Sequence, residues 1–162
     1  MKIYIIGKKG NGKTKLANRI LKYKEYNIPI LYLDKLKPWE DKGKYLDSLY
    51  EYLKRDSWII EGVWGEEYGA KEIAKDADII IWLDLDTETN YNNRLKREIE
   101  RTGGNMKLWD MYDRRWREAI LTSSYNRDFH KTLWENHKGP KLRCEHQWKW
   151  SDIKNFLNKD HE

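Results

Sequence analysis

The chain has 162 residues, enough for one domain with its own hydrophobic core. It is 36% charged, but nine Trp and an aromatic content of 14% argue against a disordered chain. The net charge of +5 favours polyanionic partners such as nucleotides or nucleic acid. A single cysteine excludes an internal disulfide. With no signal peptide and no apolar run near the roughly 20 residues of a membrane span, we expect a soluble cytoplasmic protein.

The first predicted strand leads into a phosphate-binding motif. Lys2–Ile6 is a short apolar run, and Gly7–Thr14 then reads G-x-x-x-x-G-K-T, the Walker A pattern. Lys13–Tyr23 follows with helical periodicity, which is the context that this motif requires. We therefore predict that the loop binds the phosphates of ATP, with Lys13 reaching the β- and γ-phosphates and Thr14 acting as a ligand of Mg²⁺. The predicted phosphate-binding residues are Gly7, Gly10, Asn11, Gly12, Lys13 and Thr14.

The rest of the chain alternates predicted strands with predicted helices. The further strands are Ile28–Leu33, Trp58–Ile60, Ile79–Leu83 and Lys141–Glu145. Between them lie a loop at Lys35–Lys44, a helix beginning near Tyr45, a short helix at Gly65–Lys75 and a charged stretch from Thr87 to Lys138. That stretch is predicted to be helical in at least two pieces with a break near Gly103, and a last helix capped by Ser151 ends near Asn158. Such alternation predicts an α/β fold, a parallel sheet with helices on both faces.

Three acids directly follow predicted strands, at the edge of the sheet where ligands bind. Asp34 either holds or deprotonates the phosphate acceptor, or is an ordinary turn or cap residue. Glu61 matches the Walker B arrangement, so we predict that it supports Mg²⁺ or activates the attacking group; the alternative is an exposed acid at a strand end. Asp84 fits Walker B equally well, but the polar residues after it resemble a helix start, which favours a capping role.

The arginines of the charged stretch are the next candidates. Arg94, Arg97 and Arg101 share one helix face. We favour a lid that closes these guanidiniums over the phosphates, against the alternative of a solvated surface. Further candidates are the cluster Arg114, Arg115 and Arg117, and Arg127.

Aromatic residues and histidines complete the candidates. Trp39 and Trp64 follow the second and third strands, where they either contact the acceptor or serve as packing. The histidines show no metal-ligand spacing with Cys144, so no zinc site is expected.

Taken together, these segments resemble the small P-loop kinases of the adenylate-kinase-like group, and within it the DNA topology modulation (FlaR-like) family. The similarity rests on Met1–Thr14, Leu33–Leu36 with Trp39, Trp58–Gly62, Ala77–Asp84 and Arg94–Arg97. It implies a three-layer α/β/α P-loop fold, with a five-stranded sheet in the order 2-3-1-4-5, that places Glu61 beside Thr14. It also implies a single domain over residues 1–162, with a helical lid at about 87–138.

One departure concerns the acceptor. Adenylate kinases follow the acid of strand 3 with Gly-Phe-Pro-Arg, whose Arg holds the acceptor's phosphate, whereas Glu61 here is followed by Gly62-Val63-Trp64-Gly65. Between strands 2 and 3 the sequence has only Arg55. The acceptor therefore either lacks a phosphate or is bound by later arginines.

The sequence thus predicts an ATP- and Mg²⁺-dependent phosphotransferase that acts on a small acceptor, most favourably a nucleoside or nucleotide. Its predicted catalytic residues are Lys13, Asp34, Glu61, Arg94 and Arg97, with Thr14 and Glu61 at the metal. The alternatives are a nucleotide-dependent nucleic-acid-binding protein and a kinase of polynucleotide ends. Nucleic acid is the less favoured partner because acids interleave with the basic residues. The sequence predicts no oligomeric state.

Overall fold

The computed structural model describes residues 1–24, 27–104 and 124–159. Its strands are β1 (Lys2–Gly7), β2 (Ile30–Tyr32), β3 (Trp58–Glu61), β4 (Ile79–Leu83) and β5 (Lys141–Cys144). Its α-helices are α1 (Lys13–Lys24), α2 (Lys42–Leu53), α3 (Ala70–Asp76), α4 (Thr87–Thr102), α5 (Ser124–Asn136) and α6 (Trp150–Leu157). Two 3₁₀ turns lie at Leu33–Lys35 and Glu66–Tyr68.

The five strands form one parallel sheet in the order β2-β3-β1-β4-β5. Helices cover both of its faces. Because side chains alternate along a strand, Tyr4 and Ile6 pack with helices α2, α3 and α5, whereas Ile3 and Ile5 pack with α1 and α6. The predicted three-layer architecture and strand order are therefore confirmed. The central position of β1 puts the start of the phosphate loop in the middle of the sheet's carboxyl edge.

Several element boundaries differ from the prediction. Strand β2 starts after Pro29, which lacks a backbone N–H for the ladder, and it ends before Leu33, where a 3₁₀ turn begins. Helix α2 begins earlier than expected because the Asp41 side chain caps it, accepting from the Lys44 N–H at 3.0 Å. Gly69, at φ +84°, divides the short predicted helix into a 3₁₀ turn and α3. Ser151 lies inside α6 and does not cap it, since the residue preceding that helix is Lys149.

The long charged stretch begins and ends as helix. Helix α4 stops at Thr102 with Gly103 left-handed, at the predicted break. The candidates Arg114, Arg115 and Arg117 lie outside the described residues. None of the helices within the described ranges has the length and apolar character needed to cross a membrane.

Candidate active site

The phosphate loop occupies the turn between β1 and α1. Gly7, Gly10 and Gly12 all have positive φ, at +146°, +90° and +85°. Side-chain-bearing residues rarely adopt these conformations, so glycine is required for the curl of the loop. Helix α1 starts at Lys13, which directs its positive N-terminal end toward the loop, as in phosphate sites. A cavity of about 320 Å³ opens beside it, lined by loop residues together with Asp34, Asn93, Arg97, Gln147 and Trp148.

Lys13 is buried beneath the loop. Its ammonium donates to the Lys8 carbonyl at 3.1 Å. Burial lowers the pKa of Lys13, while the nearby carboxylates of Asp34 and Glu61 act in the opposite direction. A cation at the floor of a curled glycine loop suits a phosphate chain, because the negative charges of the ligand would offset the cost of burying the ammonium.

Thr14 and Glu61 form the most informative contact of the site. The Thr14 hydroxyl donates to Glu61 Oε1 at 2.8 Å. Strand β3 pairs with β1 so that Glu61 lies opposite Ile5, which brings the acid to the start of α1. Glu61 is 2% exposed, and its Oε2 has no hydrogen-bond partner among the described residues. Burial raises its pKa, against the opposing effects of the Thr14 hydrogen bond and the Lys13 charge.

The oxygens of this pair fit Mg²⁺. A hydroxyl and a buried carboxylate with an unused oxygen are hard ligands, and Mg²⁺ often binds one or two such protein groups plus waters and substrate phosphates. The described ranges contain no group of three or more His, Cys, Asp or Glu that could hold a metal. Mg²⁺ held by Thr14 and Glu61 would take its other ligands from water and substrate phosphates.

Asp34 lies in the 3₁₀ turn after β2 and lines the same cavity. A Cβ added at Gly62 would lie 3.3 Å from Asp34 Oδ1. Because Gly62 has no side chain, the segment after β3 can approach the turn that carries Asp34 closely. The Trp64 indole donates to the Leu33 carbonyl at 2.7 Å, and the Trp64 and Trp39 rings meet edge-on with centroids 5.1 Å apart. Both tryptophans thus stand beside the Asp34 turn, and Trp39 is 60% exposed.

The three arginines of α4 have different surroundings. The Arg94 side chain packs over Gly10, where an added Cβ would lie 2.3 Å from its Cγ. Arg97 lines the cavity. Arg101 donates to the buried carboxylate of Glu98 at 2.8 Å. The structure therefore brings Arg94 and Arg97 to the loop, whereas Arg101 forms an ion pair with Glu98 of the same helix.

An amide pair joins α4 to the loop, and the sequence analysis missed its helix member. Asn90 Nδ2 donates to the Lys9 carbonyl at 2.8 Å and to Asn11 Oδ1. Asn11 Nδ2 in turn donates to the Leu83 carbonyl at 2.5 Å. Both side chains are buried. The only sequence signal for Asn90 was its position one helical turn before Arg94.

The expected capping role of Asp84 is wrong. Asp86 caps α4, accepting from the Thr89 N–H at 2.8 Å. Asp84 is buried and instead accepts from Arg127 at 2.9 and 3.0 Å and from Arg143 at 2.7 and 3.1 Å. A carboxylate held by two guanidiniums ties α5 and β5 to the end of β4.

Two further residues were missed. His130 lies on α5, where burial, assisted by the charges of Lys13 and Lys8, lowers its pKa. Trp148 follows β5 and lines the cavity next to Gly12. The rule that ligands bind at the carboxyl edge of a parallel sheet would have pointed to the segment after the fifth strand, which includes Trp148.

Comparison with known proteins adds a fold-level result. No family model matches the chain, and no curated protein matches it, so the resemblance to the topology modulation family remains a prediction from sequence. Among solved structures, shikimate kinase from Acinetobacter baumannii in complex with shikimate is similar with a TM-score of 0.56 at 14% identity, over 96% of this chain and 90% of that one. Deoxyadenosine kinase from M. mycoides, with products dCMP and a flexible dCDP bound, is similar with a TM-score of 0.53 at 17% identity, over 98% and 99%.

A third similar structure is an uncharacterised protein from Eubacterium ventriosum, with a TM-score of 0.52 at 18% identity, over 98% and 99% of the two chains. At 14–18% identity such similarities establish a shared fold. The chain therefore has the three-layer fold of P-loop kinases.

Proposed function

We propose that this protein is an ATP-dependent, Mg²⁺-assisted phosphotransferase that moves the γ-phosphate of ATP to a hydroxyl of a small acceptor, in the nucleoside or nucleotide class. One observation carries the proposal. The Walker A hydroxyl of Thr14 donates a hydrogen bond to Glu61. The other carboxylate oxygen of Glu61 is buried and has no hydrogen-bond partner among the described residues, and the charge of Lys13 lies close to this carboxylate. A ligand that satisfies all three groups carries a phosphate chain and a hard cation.

Each group of the site has a proposed task. The N–H groups of the loop and the Lys13 ammonium bind the β- and γ-phosphates. Thr14 and Glu61 hold Mg²⁺, which when bound neutralises charge on those phosphates. Asp34 faces the same cavity and orients the acceptor hydroxyl or accepts its proton; Glu61 is the second candidate base.

The proposed lid is the stretch at about 87–138 that the sequence predicts to be helical, of which α4 supplies Arg94 and Arg97. Its first helix is already anchored to the loop by the Asn90 hydrogen bond to the Lys9 carbonyl at 2.8 Å. Arg97 lines the cavity and faces the Lys13 charge, so a phosphate chain between them would relieve the repulsion of the two cations. A helix that positions guanidiniums over the phosphates also excludes water from the transfer.

Within the nucleoside or nucleotide class, the favoured acceptor is a nucleoside, which lacks a phosphate. Arg55, the sole arginine between β2 and β3, packs on the Tyr52 ring at 5.0 Å and precedes β3, so it lies at the opposite end of that strand from Glu61. Trp39 and Trp64 instead lie beside Asp34 at the carboxyl edge of the sheet, and their rings suit contact with an aromatic base. Two structurally similar proteins are named as kinases of small hydroxyl compounds, deoxyadenosine and shikimate, which supports an acceptor of that size.

The test begins with thermal unfolding in the presence of nucleotides, nucleosides and sugars with Mg²⁺, followed by coupled detection of ADP release with the stabilising compounds. We expect an unphosphorylated nucleoside to act as acceptor. Lys13→Ala should abolish transfer. A Lys13→Ala variant with wild-type rates would contradict the proposal.

A matched pair tests the lid. Arg97→Ala should lower the rate by about 10³-fold or more, the size of effect seen when a transition-state arginine is lost. Arg101→Ala removes a guanidinium of the same helix that pairs with Glu98, so it should change the rate little. Equal effects of the two substitutions would refute a role of Arg97 in transfer.

A further inference from the structure

Trp148 presents an unsatisfied hydrogen-bond donor at the wall of the phosphate cavity. Its indole N–H is buried and has no acceptor among the residues that the structure describes. The same nitrogen lies 3.2 Å from the position that a Cβ on Gly12 would occupy, so the indole rests against the loop itself. Burying an N–H without a partner costs stability, and a protein retains such a group more readily where a ligand will satisfy it.

The surroundings of Trp148 favour a negatively charged hydrogen-bond acceptor for its N–H. The cavity wall that it shares includes Lys13 and Lys15, and the Lys15 ammonium lies 5.9 Å from the centre of its ring. Gly12 has no side chain, so the indole nitrogen can lie directly against the backbone of the loop. The remainder of the ring packs in the hydrophobic layer under α1 and α6, so its orientation is held from behind.

The segment that carries Trp148 is also connected to the proposed lid. Asn93, on α4, donates to Gln147 Oε1 at 3.2 Å, and both residues line the cavity. The segment Gln147–Trp148 therefore contacts both the loop and the helix that brings Arg97 to it.

We propose, on the basis of the proposed function, that the Trp148 indole N–H donates a hydrogen bond to a non-bridging oxygen of the donor nucleotide's phosphate chain. Trp148 is then a phosphate-binding residue that lies 134 residues beyond the end of the Walker A motif in the chain (148 − 14). Its function depends on the N–H as well as on the aromatic surface.

Calorimetric titration of the full-length protein separates these two properties of the ring. Trp148→Phe keeps an aromatic surface and removes the donor. It should weaken binding of both a non-hydrolysable ATP analogue and inorganic tripolyphosphate, each with Mg²⁺, by about 10-fold or more, the loss typical of a hydrogen bond to a charged group. Trp148→His, which restores a ring N–H, should recover part of the affinity. Trp150→Phe is the matched control, because that ring packs on Tyr23 and the Arg19 guanidinium away from the cavity.

Wild-type affinity of Trp148→Phe for tripolyphosphate would overturn the proposal. If only the affinity for the ATP analogue fell, the result would indicate that the ring stacks on the base. Without ligand, Trp148→Phe should lose little stability, because the packing lost with the smaller ring is partly offset by the removal of an unsatisfied donor. If the loss of stability is large, the indole resonance of the wild-type protein decides the proposal.

A measurement on the wild-type protein covers the case in which Trp148→Phe is too unstable to titrate. One indole ¹⁵N–H resonance should move downfield when tripolyphosphate and Mg²⁺ are added, and the absence of any indole shift would overturn the proposal. These binding measurements need no acceptor. If no acceptor is ever phosphorylated, the proposed function fails while the role of Trp148 is still decided by affinity.

Discussion

His130 should make the stability of this protein strongly dependent on pH in the mildly acidic range. The imidazole is 5% exposed on α5, and its Nδ1 has no hydrogen-bond partner in the described ranges. Burial lowers its pKa from 6.5 to about 4, assisted by the charges of Lys13 and Lys8 and opposed by that of Asp84. The ring is therefore neutral in the folded protein at pH values where it would be protonated in the unfolded chain.

The sign and size of the effect follow from proton linkage. Because the folded-state pKa is the lower one, the unfolded state binds more protons between about pH 4 and pH 6.5, and stability falls as the pH falls through that window. The full difference corresponds to about 3 kcal/mol, and the part between about pH 7 and pH 5 to about 2 kcal/mol. Above the upper end of the window the histidine contributes almost no pH dependence.

Urea unfolding of wild type and His130→Gln at about pH 7 and about pH 5 measures this contribution. Glutamine is polar and does not titrate, so the variant should lose about 2 kcal/mol less than wild type on acidification. The difference between the proteins at neutral pH reports the packing cost of the substitution alone and serves as the control. Parallel pH dependences of the two proteins would show that His130 is not held neutral by its surroundings.

Three more substitutions test how the site and a nearby helix are built, each by urea unfolding. Asp84→Asn should lower stability by about 2–3 kcal/mol because two arginines lose a buried counter-ion; a loss below about 0.5 kcal/mol would show that the cluster is already hydrated. Gly7→Ala should cost at least about 1–3 kcal/mol, since its Cβ would lie 2.5 Å from the Leu83 carbonyl at φ +146°, and wild-type stability would contradict the loop geometry. Gly43→Ala, in the first turn of helix α2 where an added Cβ would make only an ordinary contact with Asp41 Oδ1 at 3.7 Å, should instead stabilise by up to about 1 kcal/mol, and any destabilisation would refute that placement.

The sequence alone was sufficient for the local parts of the site. A run of apolar residues, a glycine loop and a helical period are properties of neighbouring residues, so β1, the phosphate loop and α1 were predicted almost to their ends. The alternation of strands and helices predicted a parallel sheet, because parallel strands need crossovers of that length. The strand order came from the family resemblance and was confirmed.

The sequence and the family resemblance favoured Glu61 over Asp84, but only the tertiary structure shows what each acid contacts. Glu61 and Asp84 both follow apolar strands and both match Walker B. Pairing of β3 with β1 brings Glu61 to the Thr14 hydroxyl, whereas Asp84, at the end of β4, is held by arginines from α5 and β5. Asn90 and Trp148 also reach the loop only through folding, since residues 79 and 136 positions apart in the chain come into contact. Sequence spacing carries no information about such contacts, because they depend on how helices and strand ends pack at one edge of the sheet.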